Sequence, residues 1–284
     1  MKNSQSITFD ELMTIVSWGL FTKTVKKNQI NWKGLGALPN IKGAEYNGKY
    51  IGSPGRDIFL MLPFLSQSQM EEVAKRLCEH FPIKAPSHNV QYSACIRFIY
   101  GQNEKQGSLR SEEDFLRMKK NGLDWSLPRK FINILKNFME QEKKYYGLTI
   151  VHEIGGHRYG DEAIIYNKNS YLVLMKESYE KAMKYALLSK SYKHLFSIYY
   201  WASRYYIKMK KTEKAASCSK KSLMAAGKYY HKYFPNGEPY YSSRLRFNLN
   251  LLKNTMDNEK FKNFNNLLKE KIKSSHLKLS LFKH

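Results

Sequence analysis

Between Met183 and Phe234 the chain carries twelve Lys or Arg residues and a single acid, Glu213. They are interleaved with Tyr192, Phe196, Tyr199, Tyr200, Trp201, Tyr205, Tyr206, Tyr229, Tyr230 and Tyr233. On a helix over 212–233, Ala215, Ser219, Ser222, Ala226, Tyr229 and Tyr233 fall on one side, and Lys214, Lys221, Lys228 and Lys232 fall broadly on the other. On the helix before it, Arg204, Lys208 and Lys211 lie close to one face. If the two helices pair, their cations share one surface. The chemistry available to such a surface is electrostatic: each cation set against a phosphate releases counterions, so affinity falls steeply with salt. Tyrosines beside the cations can stack on unpaired bases. The same spacing also fits a solvated lysine face over a Tyr-rich core, in which most of the rings pack between helices.

Three other stretches offer different chemistry. His152-Glu153-Ile154-Gly155-Gly156-His157 resembles the zincin HExxH sequence but is one residue too long. The zincin histidines stand four apart on a helix so that both reach one metal; these stand five apart, and the Gly-Gly pair predicts a turn. On a turn, His157 with Asp161 or Glu162 can make a metal or acid/base site. A metal-dependent hydrolase or nuclease using His152, Glu153, His157 and Asp161 is therefore the enzymatic alternative, against a polar hairpin tip with incidental histidines. Gly52-Ser53-Pro54-Gly55-Arg56 precedes an expected strand. Its amides can form an anion nest with Arg56 as a clamp, or simply a turn. It lacks the Gly-Lys-Ser/Thr ending of a Walker A loop. Cys95, with His88 nearby, would need an exposed, activated thiolate to act as a nucleophile, but the pattern around it predicts a buried strand. No GxSxG elbow, kinase signature or dinucleotide-binding fingerprint occurs, so no catalytic residue and no cofactor are assigned.

The elements that must position these residues divide the chain in two. Thr8 and Glu11 form the signature of a capping box, and a helix is expected to run to about Phe21. Thr24 to Arg56, rich in Gly, Asn and Lys, predicts loops and a short hairpin. Strands are expected at Asp57–Leu62 and Val90–Tyr100. Helices are expected after Ser66 or Ser68 up to Phe81, at Ser111–Lys120 and at Arg129–Tyr145. Leu148–Ile154 and Glu162–Tyr166 flank the glycines and predict a hairpin. The expected fold class is therefore α+β: a small mixed domain over 1–168, then an all-α domain over 169–284. The helices of the second half are expected at Ser170–Ser189, Tyr192–Lys210, Thr212–Tyr233, Tyr240–Asn254 and Asn258–Ser274, with short connections that make them antiparallel hairpins. The tail from Lys260 to His284 alternates lysines with apolar residues. It is expected to form an amphipathic helix that docks on its own bundle, a partner groove or an anionic lipid surface.

Tyr179-Glu180-Lys181-Ala182 recurs as Thr212-Glu213-Lys214-Ala215, near the period of tetratricopeptide repeats. Ala202, Tyr206 and Ala215 resemble the small and aromatic positions of that repeat. Ser203 stands in place of its glycine, Ser219 in place of its second-helix aromatic, and the closing proline is unmatched. The resemblance covers about Ser170 to Tyr233 and implies helical hairpins, an architecture that serves many functions.

Bulk composition sets the class of partner. The 284 residues carry a net charge of +24 with 42% hydrophobic residues, enough for a packed core. Up to Gly147 there are 22 basic and 14 acidic residues, and beyond it 26 and 10, so the excess belongs mainly to the second half. A non-enzymatic binding or assembly protein contacting nucleic acid or a ribonucleoprotein is the leading expectation, and an adaptor for acidic protein partners the alternative. Three scattered cysteines with no CxxC pair predict neither a zinc site nor a disulfide framework. With no signal-peptide pattern at residues 1–10 and no apolar run long enough for a bilayer, a cytoplasmic, reducing location is expected.

Overall fold

A computed structural model describes residues 8–10, 12, 13, 16, 44–46, 49–51, 54–85, 91–101, 113, 116, 120 and 124–282. Most of them are helical, which overturns the α+β expectation. Beside the helices, the described residues contain one short antiparallel pair, β1 (Ala44–Tyr46) with β2 (Lys49–Ile51), in which Glu45 faces Tyr50. The helices are α1 (Pro54–Met61), α2 (Gln67–His80), α3 (Gln91–Ile99), α4 (Ser126–Gln141), α5 (Tyr145–Ile165), α6 (Asn169–Leu188), α7 (Lys193–Lys208), α8 (Thr212–Tyr233), α9 (Pro239–Thr255), α10 (Asn258–Lys271) and α11 (Ser275–Phe282). The chain forms two compact units, Met1–Ile154 and Gly155–His284.

Each misread strand has a physical reason. Asp57–Leu62 lies in α1 and the 3-10 turn after it (Leu62–Phe64); Pro54 opens that helix and Asp57 sits in its first turn, a start signal that the short apolar run masked. In Val90–Tyr100 the apolar residues Tyr92, Ala94, Ile96 and Phe98 alternate as in a strand, while Tyr92, Cys95, Ile96 and Ile99 also recur at helical spacing, so the segment fits periods of 2 and 3.6 alike. The buried residues Cys95, Ile96, Ile99 and Tyr100 follow the helical spacing of α3. The hairpin expected around Gly155-Gly156 is the single helix α5. Residues 146–158 are buried without interruption, and a helix enclosed on every side carries no amphipathic signal.

In the first unit α1 packs on α3 and α2 on α4. A Cβ at Gly55 would lie 2.1 Å from the Cys95 carbonyl oxygen, so glycine is what lets α1 and α3 touch. Ser66 caps α2: its Oγ accepts from the Gln69 amide at 3.2 Å, and the Gln69 Oε1 accepts from the Ser66 amide at 2.9 Å. Met70, Val73, Ala74, Leu77 and Phe81 are buried as their spacing predicts.

In the second unit α7 pairs with α6 and, most extensively, with α8; α8 pairs in turn with α9. Asn167, Lys190 and Lys210 take positive φ (49°, 57° and 57°) and end α5, α6 and α7. After each, the next amide bonds back to a carbonyl in the last turn, Lys168 to Ala163 at 3.2 Å, Ser191 to Ala186 at 2.8 Å and Lys211 to Tyr206 at 2.8 Å. One repeated turn thus reverses the chain three times. One core gathers Tyr179, Ala182, Ala202, Tyr205, Tyr206 and Ala215. A second joins Phe196, Leu223 and Tyr230 to Leu268, Ile272, Leu277 and Leu281, so the basic tail docks on its own helices.

Candidate functional site

The face of α8 toward α6 and α7 carries the cations. A groove of about 380 Å³ is lined by Met175, Lys176, Tyr179, Glu180 and Met183 of α6, by Ile198, Tyr199, Ala202 and Tyr206 of α7, and by Lys214, Ser217, Cys218 and Lys221 of α8. A second groove of about 700 Å³ shares Met183 and Tyr199 with the first. It continues past Leu187, Leu195, Met224, Ala225, Lys228 and Tyr229 to Lys271 and Lys273. The floor of this trough is methionine, leucine and tyrosine, and its rim is lysine. Glu180 is the one acid in the two linings, and it pairs with Lys176 at 3.6 Å.

Of the five lysines on α8, Lys214, Lys221, Lys228 and Lys232 each lie beside a tyrosine ring, whereas Lys220 lines a separate pocket with Glu213 and Thr255. The Nζ of Lys214 is 5.9 Å from the Tyr206 centroid, that of Lys221 5.9 Å from Tyr199, that of Lys228 5.0 Å from Tyr229 and that of Lys232 5.6 Å from Tyr192. All four are exposed, and none forms an ion pair with a carboxylate among the described residues. The Tyr229 side chain, by hydrogen bond and then by charge, holds the Lys228 ammonium above the usual lysine range. Burial pushes the Tyr206 phenol up to about 12 and the Cys218 thiol up to about 11.

The rings divide into two classes. Phe196, Tyr200, Tyr205, Tyr206 and Tyr230 are buried, whereas Tyr192, Tyr199, Trp201, Tyr229 and Tyr233 are half-buried. Tyr192 and Tyr229 stack on each other, with centroids 4.1 Å apart and planes at 14°.

The remaining expected residues are placed elsewhere. Arg204 faces α9: its guanidinium lies over Tyr200, Trp201 and Phe247 at 5.7, 5.3 and 5.9 Å and donates to the Tyr200 hydroxyl at 3.1 Å. Lys208 and Lys211 are exposed where α7 turns into α8 and line neither groove. Of the expected anion loop, Gly52 and Ser53 lie outside the described residues; Gly55 and Arg56 belong to α1. Cys95 is buried in a helix rather than a strand, and its thiol is held high, first by burial and then by Asp57; His88 lies outside the described residues.

His152, Glu153 and His157 are buried on a continuous helix, not exposed on a hairpin tip. His157 Nδ1 is 2.6 Å from the Tyr179 hydroxyl. Asp161 accepts from the Tyr205 hydroxyl at 2.9 Å. Arg158 and Glu162 pair at 3.1 Å, both nearly enclosed. His157 and Asp161 thus tie α5 to α6 and α7, while Arg158 and Glu162 pair within α5. No group of three His, Cys, Asp or Glu able to hold a metal occurs among the described residues, and none of their helices is long and apolar enough to cross a membrane.

The residues that depart from the tetratricopeptide pattern have a shared role. Ser203 and Ser219 both lie 3.0 Å from Oδ1 of the fully buried Asn248, which links α7, α8 and α9 through one polar centre. Such helix-on-helix packing is compatible with a repeat-like architecture. No protein-family model, curated protein or solved structure matches the chain.

Sequence periodicity alone could not find Lys176 of α6 in the first groove and Lys184 of α6 in the second, or Met183 and Met224, as neighbours of the α8 lysines. The eight-residue spacing of Lys176 and Lys184 puts them on one side of their helix, but which side faced α8 was set by packing.

Proposed function

We propose that this chain is a non-enzymatic binding protein whose second unit presents the lysine row of α8 to nucleic acid, free or in a ribonucleoprotein. The observation that carries this reading is that Lys214, Lys221, Lys228 and Lys232 share one exposed strip, and none of them forms an ion pair with a carboxylate among the described residues. Their charge is therefore available to phosphates. An acidic protein segment is the second reading. It is favoured by the aliphatic part of the trough, where Met183, Leu187, Leu195 and Met224 would accept apolar side chains.

The position of the charge is testable separately from its amount. Replacing Lys214, Lys221, Lys228 and Lys232 together by Gln is expected to weaken oligonucleotide binding at 100 mM salt on the order of 10² to 10³-fold. A control with Lys75, Lys130, Lys253 and Lys262, exposed elsewhere, changed to Gln should lose less than about tenfold. Equal losses in the two variants would reduce the effect to net charge and defeat the proposal.

A further inference from the structure

We infer that the nucleic acid taken by this face is single-stranded, with unpaired bases seated on the tyrosines of the trough while its phosphates follow the lysine row; this rests on the nucleic-acid reading above. Lys214 to Lys232 span roughly 27 Å along α8 at about 1.5 Å per residue. Half-buried rings occur at steps along that row: Tyr199 beside Lys221, and the Tyr192–Tyr229 stack beside Lys228 and Lys232. A parallel pair of rings is a stack that a planar base extends by one member. The lysines over those rings are freed to turn toward phosphates when a base takes their place.

A duplex would use only half of this arrangement. Its phosphates lie on the outside of a convex rod and its bases are stacked inside, so it can meet the cations but leaves the rings and the concave floor unfilled. A single strand puts phosphate and base on opposite sides of its backbone and can satisfy both, the combination found in strand-binding channels. An acidic peptide matches the charge and the aliphatic floor, but gives no role to ring planes placed at the lysine steps.

The test measures binding of the full chain to fluorescent 12-nucleotide oligo(dT) and oligo(rU), to a 12-base-pair duplex and to a 12-residue Glu/Leu peptide at 150 mM salt. The single strands are expected to bind at least about tenfold more tightly than the duplex. Tyr199→Leu and Tyr229→Leu should each weaken single-strand binding by about 5- to 100-fold, while Tyr199→Phe and Tyr229→Phe retain it. Unchanged duplex affinity in the same variants shows that they are folded. Equal or tighter duplex binding, or indifference to loss of the rings, overturns this inference and leaves the nucleic-acid reading standing. Tighter binding of the peptide overturns it in favour of a protein partner. No binding of any nucleic acid at 50 mM salt overturns both.

Discussion

Cys218 is the residue that reports most directly on the trough. Of the three cysteines, Cys78 and Cys95 are buried and Cys218 is half-buried in the lining of the first groove. Burial raises its thiol to about 11 against an ordinary 9.0, so the reactive thiolate is scarce at neutral pH. Alkylation by iodoacetamide is expected to rise about tenfold per pH unit from pH 8 to 10 and to level off only above pH 11, since each unit below the pKa costs tenfold in thiolate. A bound oligonucleotide should slow it. A rate that levels off near pH 8.5 would contradict the burial of this side chain. At the same scale, the sequence indicated which residues carry charge and rings but not which rings are open. Tyr205 and Tyr206 are buried and Tyr199 is half-buried, because the packing of α6 and α8 against α7 makes that choice.

Helices set their own spacing through α5. A Cβ at Gly156 would lie 2.3 Å from the Tyr179 ring, and one at Gly160 would lie 2.6 Å from the Tyr205 ring. These two glycines admit the aromatic rings of α6 and α7 to the helix backbone. Read as turn formers, they predict a hairpin; the requirement they meet is close approach, which leaves no local mark in a sequence. Gly160→Ala separates the two ideas. Helix propensity alone gains about 1 kcal/mol, whereas overpacking a buried ring costs about 1–3 kcal/mol. The outcome expected from urea unfolding is a net loss of up to about 2 kcal/mol; a more stable variant would mean that the Tyr205 contact is loose. Elements whose signal is local were legible. The stripe of α2 is where the pattern puts it, its cap is Ser66, one of the two serines the sequence offered, and Thr212–Tyr233 matches α8 to the residue. Helices α1 and α3 were not legible, because they are short, and α5 was not, because it has no amphipathic stripe; length and amphipathicity are the two cues that distinguish helix from strand.

At the scale of the whole molecule, one unit carries the open cationic strip. The first unit is built from helix pairs that meet through contacts such as Gly55 against Cys95. The second unit adds a helical stack with a polar centre at Asn248 and a lysine-rimmed trough on one face. Charge asymmetry along the chain pointed to the second half, and helix periodicity pointed to α8. The trough itself needed α6, α7 and the end of α10 in place, and no periodicity within a single helix encodes that meeting.

The most direct test of a cationic row acting as one surface is the salt dependence of oligo(dT) binding by the full chain between 50 and 300 mM. Four lysines each displacing a counterion from a single strand give a slope of log K against log salt of about −3, at about −0.7 per contact. Changing all four to Gln should make that slope shallower by about 3. A slope already near zero in the unaltered protein, or one that the four changes leave untouched, would contradict the account.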